Sequence, residues 1–192
     1  MGPTVHPARA TGAVIETPRL LLRELMEDDL DSLGETLMDS RTMEALGGPM
    51  DREQAAAWLA RQIGRRQRGE LACWGVVERE TGELVGQAGF ARMPTPLGKL
   101  PELGYILRPD RQGLGYAVEA GRACLEYGFG TLDFTCVCAV IREGNLASER
   151  VAGRLGMRYA RGMEYRGEPH GLWLVSREEF PCRGCFLRET VL

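Results

Sequence analysis

Apolar side chains recur along this chain in two rhythms, and each predicts a different element. Short alternating or continuous apolar runs at residues 20–25, 72–79, 84–91, 102–107, 133–141, 158–165 and 172–176 predict strands. Three sets show apolar spacing of three and four residues: Leu30, Leu33 and Leu37; Ala55, Trp58, Leu59 and Ile63; Ala117, Ala120, Gly121, Cys124 and Leu125. A fourth, shorter set is Ala147, Val151, Ala152 and Leu155. These four sets predict helices with one buried face. Their ends carry matching signals: acids at Glu27, Asp28 and Asp29, Asp51 with Gln54 as a capping box, and Asn145 before the last helix, with Gly156 closing it. Thr81-Gly82 predicts a hairpin turn. Residues 40–50 read as a loop, and residues 93–98, with two prolines, read as a break in the sheet. Residues 1–14 read as a flexible leader, 15–180 as one α/β domain of mixed strands and helices, and 181–192 as a tail.

Composition narrows the partners. The 192 residues, 44% of them hydrophobic, suit one domain with a sizeable core, and the net charge of -3 supplies no global field toward nucleic acid or an anionic membrane. Arg61, Arg65, Arg66 and Arg68 cluster locally, as at the solvated end of a helix. No apolar run is long enough to span a bilayer, and residues 1–13 lack the apolar segment of a signal peptide, so the cytoplasm is the expected location. Cys73, Cys124, Cys136 and Cys138 fall in apolar patterns and read as reduced core residues. Cys182 and Cys185 have the spacing of half a metal knuckle or a redox pair, but neither His6 nor His170 completes it, so no metal is expected.

The most informative stretch is residues 102–129, which reads as a strand, a glycine turn and a helix. Gly113 and Gly115 let successive amides turn outward ahead of a helix N-terminus, an arrangement suited to phosphate or pyrophosphate. Two familiar phosphate loops fit poorly. A P-loop needs Lys then Ser or Thr where Tyr116 and Ala117 stand, and a dinucleotide fingerprint needs a small residue where Val118 stands.

What the turn resembles, through Gln112, Gly115 and Ala117, is the Q/R-x-x-G-x-G/A signature of the GNAT superfamily of acyl-CoA-dependent N-acetyltransferases. Further blocks follow in order. Glu16-Thr17-Pro18-Arg19-Leu20-Leu21-Leu22-Arg23, Tyr116-Ala117-Val118-Glu119-Ala120, Asn145-Leu146-Ala147-Ser148 and Leu155-Gly156-Met157 resemble the ribosomal-protein N-terminal acetyltransferase (RimJ/RimL-type) branch. The resemblance implies a mostly antiparallel sheet splayed at its central strand. It implies that the pantetheine arm of acetyl-CoA pairs with Tyr105, Ile106 and Leu107, and that the diphosphate lies on the amides of Gln112, Gly113, Leu114, Gly115, Tyr116 and Ala117. It also implies direct attack of a neutral amine on the thioester, with a main-chain amide near Ile106 or Leu107 stabilising the oxyanion. Dimers are common in the family, so a homodimer is possible on that ground.

The catalytic side chains are less plainly written. The tyrosine that many family members use to protonate the thiolate is replaced by Ala152, so Ser148 is the candidate donor, with a capping role as the alternative. Asn145 is a cap and, by resemblance, a coenzyme contact. Glu102, expected at the start of the central strand, is either the base facing the amine or a solvated strand-end carboxylate. Glu119 reads as structural, and His170, between Pro169 and Gly171, as exposed in a turn. The implied activity is acetyl transfer to a primary amine, with a coenzyme-binding module of the same fold as the alternative. The sequence does not name the amine.

Overall fold

The computed structural model describes residues 4–6 and 14–180. Nine strands form one sheet in the order β1-β2-β3-β4-β5-β6-β7-β9-β8. They are β1 (Thr4–His6), β2 (Val14–Glu16), β3 (Leu20–Arg23), β4 (Cys73–Glu78), β5 (Leu84–Thr95), β6 (Gly98–Leu107), β7 (Cys136–Arg142), β8 (Arg158–Tyr165) and β9 (Glu168–Ser176). All neighbours are antiparallel except β6 and β7. The helices are α1 (Leu30–Leu37), α2 (Ser40–Met43), α3 (Arg52–Gln67), α4 (Tyr116–Gly130) and α5 (Leu146–Arg154). β1 lies within the stretch expected as a leader.

Alternation along the strands divides the core between two faces. Leu20, Leu22, Trp74, Val76, Phe90, Leu103, Leu107, Val137 and Ala139 pack with Ala120, Cys124 and Leu125 of α4. Leu25, Val77 and Leu84 pack instead with Leu33 and Leu37 of α1 and Ala55 and Leu59 of α3, with Ile106 against them. The small-residue face of α4 has a steric cause at Gly121, where an added Cβ would stand 2.8 Å from Cδ1 of the fully buried Leu155. Caps form as the sequence implies: Asp51 and Gln54 make a reciprocal capping box on α3, and Gly156 follows α5 at φ 82°.

Several boundaries differ from the sequence reading. Residues 93–98 do not break the sheet: β5 and β6 continue to a hairpin in which Thr95 faces Gly98. Pro94 is tolerated because β4 stops at Cys73, opposite Gly89, so no ladder partner is missed beyond it. Residues 40–50 contain α2 and a 3-10 turn, Glu44–Leu46, rather than loop alone. The first helix opens with a separate 3-10 turn, Glu27–Asp29. Pro169-His170-Gly171 lies inside β9, because the turn is two residues earlier. Arg66 is not simply solvated; its guanidinium stacks 4.7 Å over the ring of Trp74 and meets Glu24 at 3.5 Å.

Candidate active site

β6 pairs with β5 along its whole length, but its register with β7 consists of Glu102 opposite Cys138 alone. Beyond that point the two parallel strands diverge. The Arg108 amide donates to the Val85 carbonyl at 2.8 Å, which fixes the alternation: even-numbered residues of β6 direct their main-chain groups to β5. Tyr105 and Leu107 therefore present theirs to the gap. Ile106, expected to do the same, is turned to β5, and this corrects the three-residue reading.

The gap leads to the glycine turn. Pro109–Arg111 forms a 3-10 turn, after which Gly113 (φ 76°) and Gly115 (φ 84°) adopt the left-handed conformation open to glycine. Among the described residues, the amides of 113–118 have no backbone acceptor, whereas the Gln112 amide, expected in the same set, donates to the Pro109 carbonyl at 3.3 Å. They stand at the N-terminus of α4, which is 15 residues long, so dipole and donors coincide. Space is open over Gly113, where an added Cβ would meet nothing within 4 Å. This is a fitting seat for a diphosphate.

The side chains around the turn hold its shape. Gln112 Nε2 donates to the Leu107 carbonyl at 2.9 Å and to Thr42 Oγ1 at 3.2 Å, tying the turn to β6 and α2. Arg19 donates to the Leu114 carbonyl at 2.9 Å, pairs with Glu119 at 2.7 Å and lies 4.6 Å over the Tyr116 ring. Tyr116 points inward, its hydroxyl donating to Glu78 at 2.5 Å, so only its amide faces the turn. Glu119 accepts from Thr17 Oγ1 and the Arg19 amide as well. Burial opposes its charge, but these bonds and Arg19 prevail and lower its pKa. Its expected structural role is what the contacts show.

Across the gap, Asn145 Oδ1 accepts from the Ser148 amide at 3.1 Å and caps α5. The hydroxyl of Tyr105 reaches the same turn, donating to the Ser148 carbonyl at 3.3 Å, and burial pushes its pKa up to about 12. This second hydroxyl was hidden from the sequence reading, which considered only the main chain of Tyr105. Ala152, in the family tyrosine's place, is 1% exposed and belongs to the core.

The opposite face of the gap carries Glu102. It sits in mid-strand because β6 begins four residues earlier than expected, and it is half-buried rather than a solvated strand end. Burial raises its pKa to about 7, against the lowering effects of the Val140 amide, which donates to it, and of the nearby Arg166 charge. Gly104, two residues on and on the same face, has open space above it. Met93, Cys138 and Leu172 form an apolar cluster on this side with Leu100, Val140, Met163 and Tyr165. Cys138 is a buried thiol raised to about 12, by burial first and Glu102 second, which suits packing rather than nucleophilic chemistry. At the rim, Arg142 donates to the Glu44 carbonyl at 3.2 Å and pairs with Glu168 at 2.8 Å. His170, expected in an exposed turn, is 8% exposed, with Nδ1 3.0 Å from the Glu168 carbonyl and its ring edge-on to Tyr165. Cys73, Cys124, Cys136 and Cys138 are free thiols, and Cys182 and Cys185 lie outside the described residues.

A splayed parallel pair, a main-chain edge open between them and a glycine turn at its end are all present. A family model described as "Acetyltransferase (GNAT) domain" matches residues 19–158. The chain belongs to the GNAT family. It is thus an N-acetyltransferase, and acetyl-CoA is its acetyl donor. The chain is 34% identical to the uncharacterized protein YkkB of Bacillus subtilis, over 80% of this chain and 90% of YkkB. A GNAT-family acetyltransferase structure from Bacillus anthracis matches with a TM-score of 0.75 and 25% identity, covering 86% of this chain and 99% of that one. Mycobacterium smegmatis RimJ, solved with a coenzyme A disulfide, shares the fold at TM-score 0.70 and 22% identity, covering 95% of this GNAT chain and 93% of RimJ. Among the described residues, no helix is long and apolar enough to cross a membrane.

Proposed function

We propose that the chain acetylates a primary amine by direct attack on acetyl-CoA, with the diphosphate seated on the amides of 113–118 and the pantetheine arm along the gap. The observation that carries this reading is that β6 parts from β7 immediately after Glu102, leaving the edge of Tyr105 and Leu107 open toward the Gly113–Gly115 turn. Acetyl-CoA supplies an activated acyl group. The protein's part is placement and proton transfer. The Tyr105 and Leu107 amides donate into the gap, with the Leu107 carbonyl already held by Gln112. Glu102, with a pKa near the ambient pH, receives the proton that the amine loses. Ser148 and the Tyr105 hydroxyl stand together at the start of α5, where a hydroxyl serves the departing sulfur.

Gly113→Trp fills the open seat and is expected to weaken acetyl-CoA binding by roughly 100-fold in calorimetry, the scale of a lost set of charge-assisted hydrogen bonds. Unaltered affinity in the folded variant contradicts the placement. Ser148→Ala is expected to lower kcat by roughly 10-fold or more while changing coenzyme affinity less; an unaltered rate leaves Ser148 as part of a cap. The buried Ala152 favours a second reading, a coenzyme-binding module without turnover. Release of free coenzyme A thiol across a panel of amines separates the two, since a pure binder releases none.

A further inference from the structure

An arginine at the tip of the last hairpin has no structural partner that accounts for it. Tyr165 pairs with Glu168, so Arg166 and Gly167 alone make the turn, with φ of 55° and 79°. Such two-residue turns match strand twist and ordinarily take Asn, Asp or Gly at their first position. A long side chain there is held in a left-handed backbone at a conformational cost. The other cation of this rim, Arg142, is engaged by Glu168 and the Glu44 carbonyl. Among the described residues, no carboxylate lies within ion-pair distance of Arg166. Its guanidinium rests 5.2 Å from the centre of the Tyr165 ring, and Nη1 would stand 3.7 Å from a Cβ on Gly47. The side chain therefore reaches back over the sheet face toward the segment after α2. Beneath that face lie Glu102, whose charge it influences, and the open space over Gly104. Met93, Leu100, Val140 and Met163 supply the apolar part of the surface.

We propose that Arg166 reads a carboxylate on the acceptor, and that the acceptor class is a primary amine with a carboxylate a few bonds away. The amine then faces Glu102 while the carboxylate meets the guanidinium, which offers planar paired donors. The carboxylate has two possible sources, the main chain of a free amino acid or an acidic side chain beside a peptide N-terminus. This inference deepens the proposed function and rests on its assignment of the Glu102 face to the acceptor.

The test uses the full chain, acetyl-CoA and two matched pairs: leucine against leucinamide, and Ala-Glu-amide against Ala-Gln-amide. Within a pair, the ratio of kcat/KM for the carboxylate over the amide is compared between the unaltered protein and its variants, so that differences in amine basicity cancel. Arg166→Ala is expected to lower that ratio by about 10- to 100-fold for one pair, Arg166→Lys to restore part of it, and Arg166→Glu to lower it further. The pair that responds identifies the source of the carboxylate. A ratio that Arg166→Ala leaves unmoved in both pairs overturns the inference while acetyl transfer itself stands. No transfer to any of the four acceptors, although acetyl-CoA binds, instead brings down the proposed function and the inference with it. Coenzyme affinity measured in parallel shows that each variant is folded.

Discussion

Glu102 combines two properties that ordinarily exclude each other, a partly buried carboxyl and, in the proposed function, a chemical task that needs its charged form. Burial lifts its pKa to about 7, so a reaction that uses it as base should gain rate as pH rises through about 7. Glu102→Gln should remove that limb of the kcat/KM profile and slow turnover by roughly 10²- to 10⁴-fold. The same shift has a cost in stability. With the folded pKa above the unfolded one, the folded state holds more protons between 4.5 and about 7, and its stability falls as pH rises across that window. Above it the charged carboxyl costs up to about 3 kcal/mol. Glu102→Gln, which still offers the Val140 amide an acceptor, should therefore melt higher than the parent at pH 8. Thermal melts at pH 5 and pH 8 check this, and a gain at pH 5 equal to that at pH 8 refutes it. The identity of Glu102 as a candidate was legible in the sequence, but its burial was not. Two prolines in residues 93–98 concealed the hairpin that extends β6 and places Glu102 in mid-strand. His170 was misread for a related reason: Pro169 and Gly171 look like a turn, whereas the turn is made by Arg166, a residue type with low preference for it.

At the scale of elements, the glycine turn and α4 form one unit with the start of β3, and Arg19 is the link. It joins Glu119 on the helix, the Leu114 carbonyl in the turn and the ring of Tyr116. Glu119→Ala removes the acceptor of the Arg19 amide and Nε, while Thr17 Oγ1 keeps the Leu20 carbonyl. Because Arg19 is about half exposed, with 48% side-chain exposure, the loss is expected near 2 kcal/mol rather than that of a fully buried pair. That corresponds to a Tm lower by roughly 4–8 °C. Acetyl-CoA affinity should also fall, since the turn loses its brace. A melt lowered with undiminished affinity would show that Arg19 supports the fold without shaping the turn. Much of this unit was readable beforehand: glycines spaced before a small-residue helix face state both the turn and the close packing. The direction of the Tyr116 side chain was not, because its partner Glu78 lies on a strand 38 residues earlier. The same limit hid the approach of the Tyr105 hydroxyl to Ser148, a contact across 43 residues.

Over the whole molecule, the sheet separates the two tasks of the proposed reaction. One side carries α4, α5 and the glycine turn, which suit the coenzyme; the other carries Glu102, Gly104, the segment after α2 and the last hairpin, which suit the amine. Strand order decides this division, and the splay between β6 and β7 lets the two sides meet at the reacting atoms. The family blocks implied the mostly antiparallel sheet and the splay, whereas the acceptor side is built from loop ends whose placement depends on tertiary contacts. Because the tasks are separate, Gly113→Trp and Arg166→Ala should act independently. Their effects on log kcat/KM are expected to add within about 0.5 kcal/mol, as for sites without shared partners, and a larger coupling in the double variant would argue against two distinct subsites. On the proposed function, the coenzyme occupies the opening from the β6 edge to the start of α4. Amide chemical-shift mapping during titration with acetyl-CoA tests it most directly. The largest changes are expected at 113–118 and at Tyr105 and Leu107, with Ile106, bonded to β5, responding less. Saturable binding that perturbs another surface and leaves these amides unmoved would contradict it.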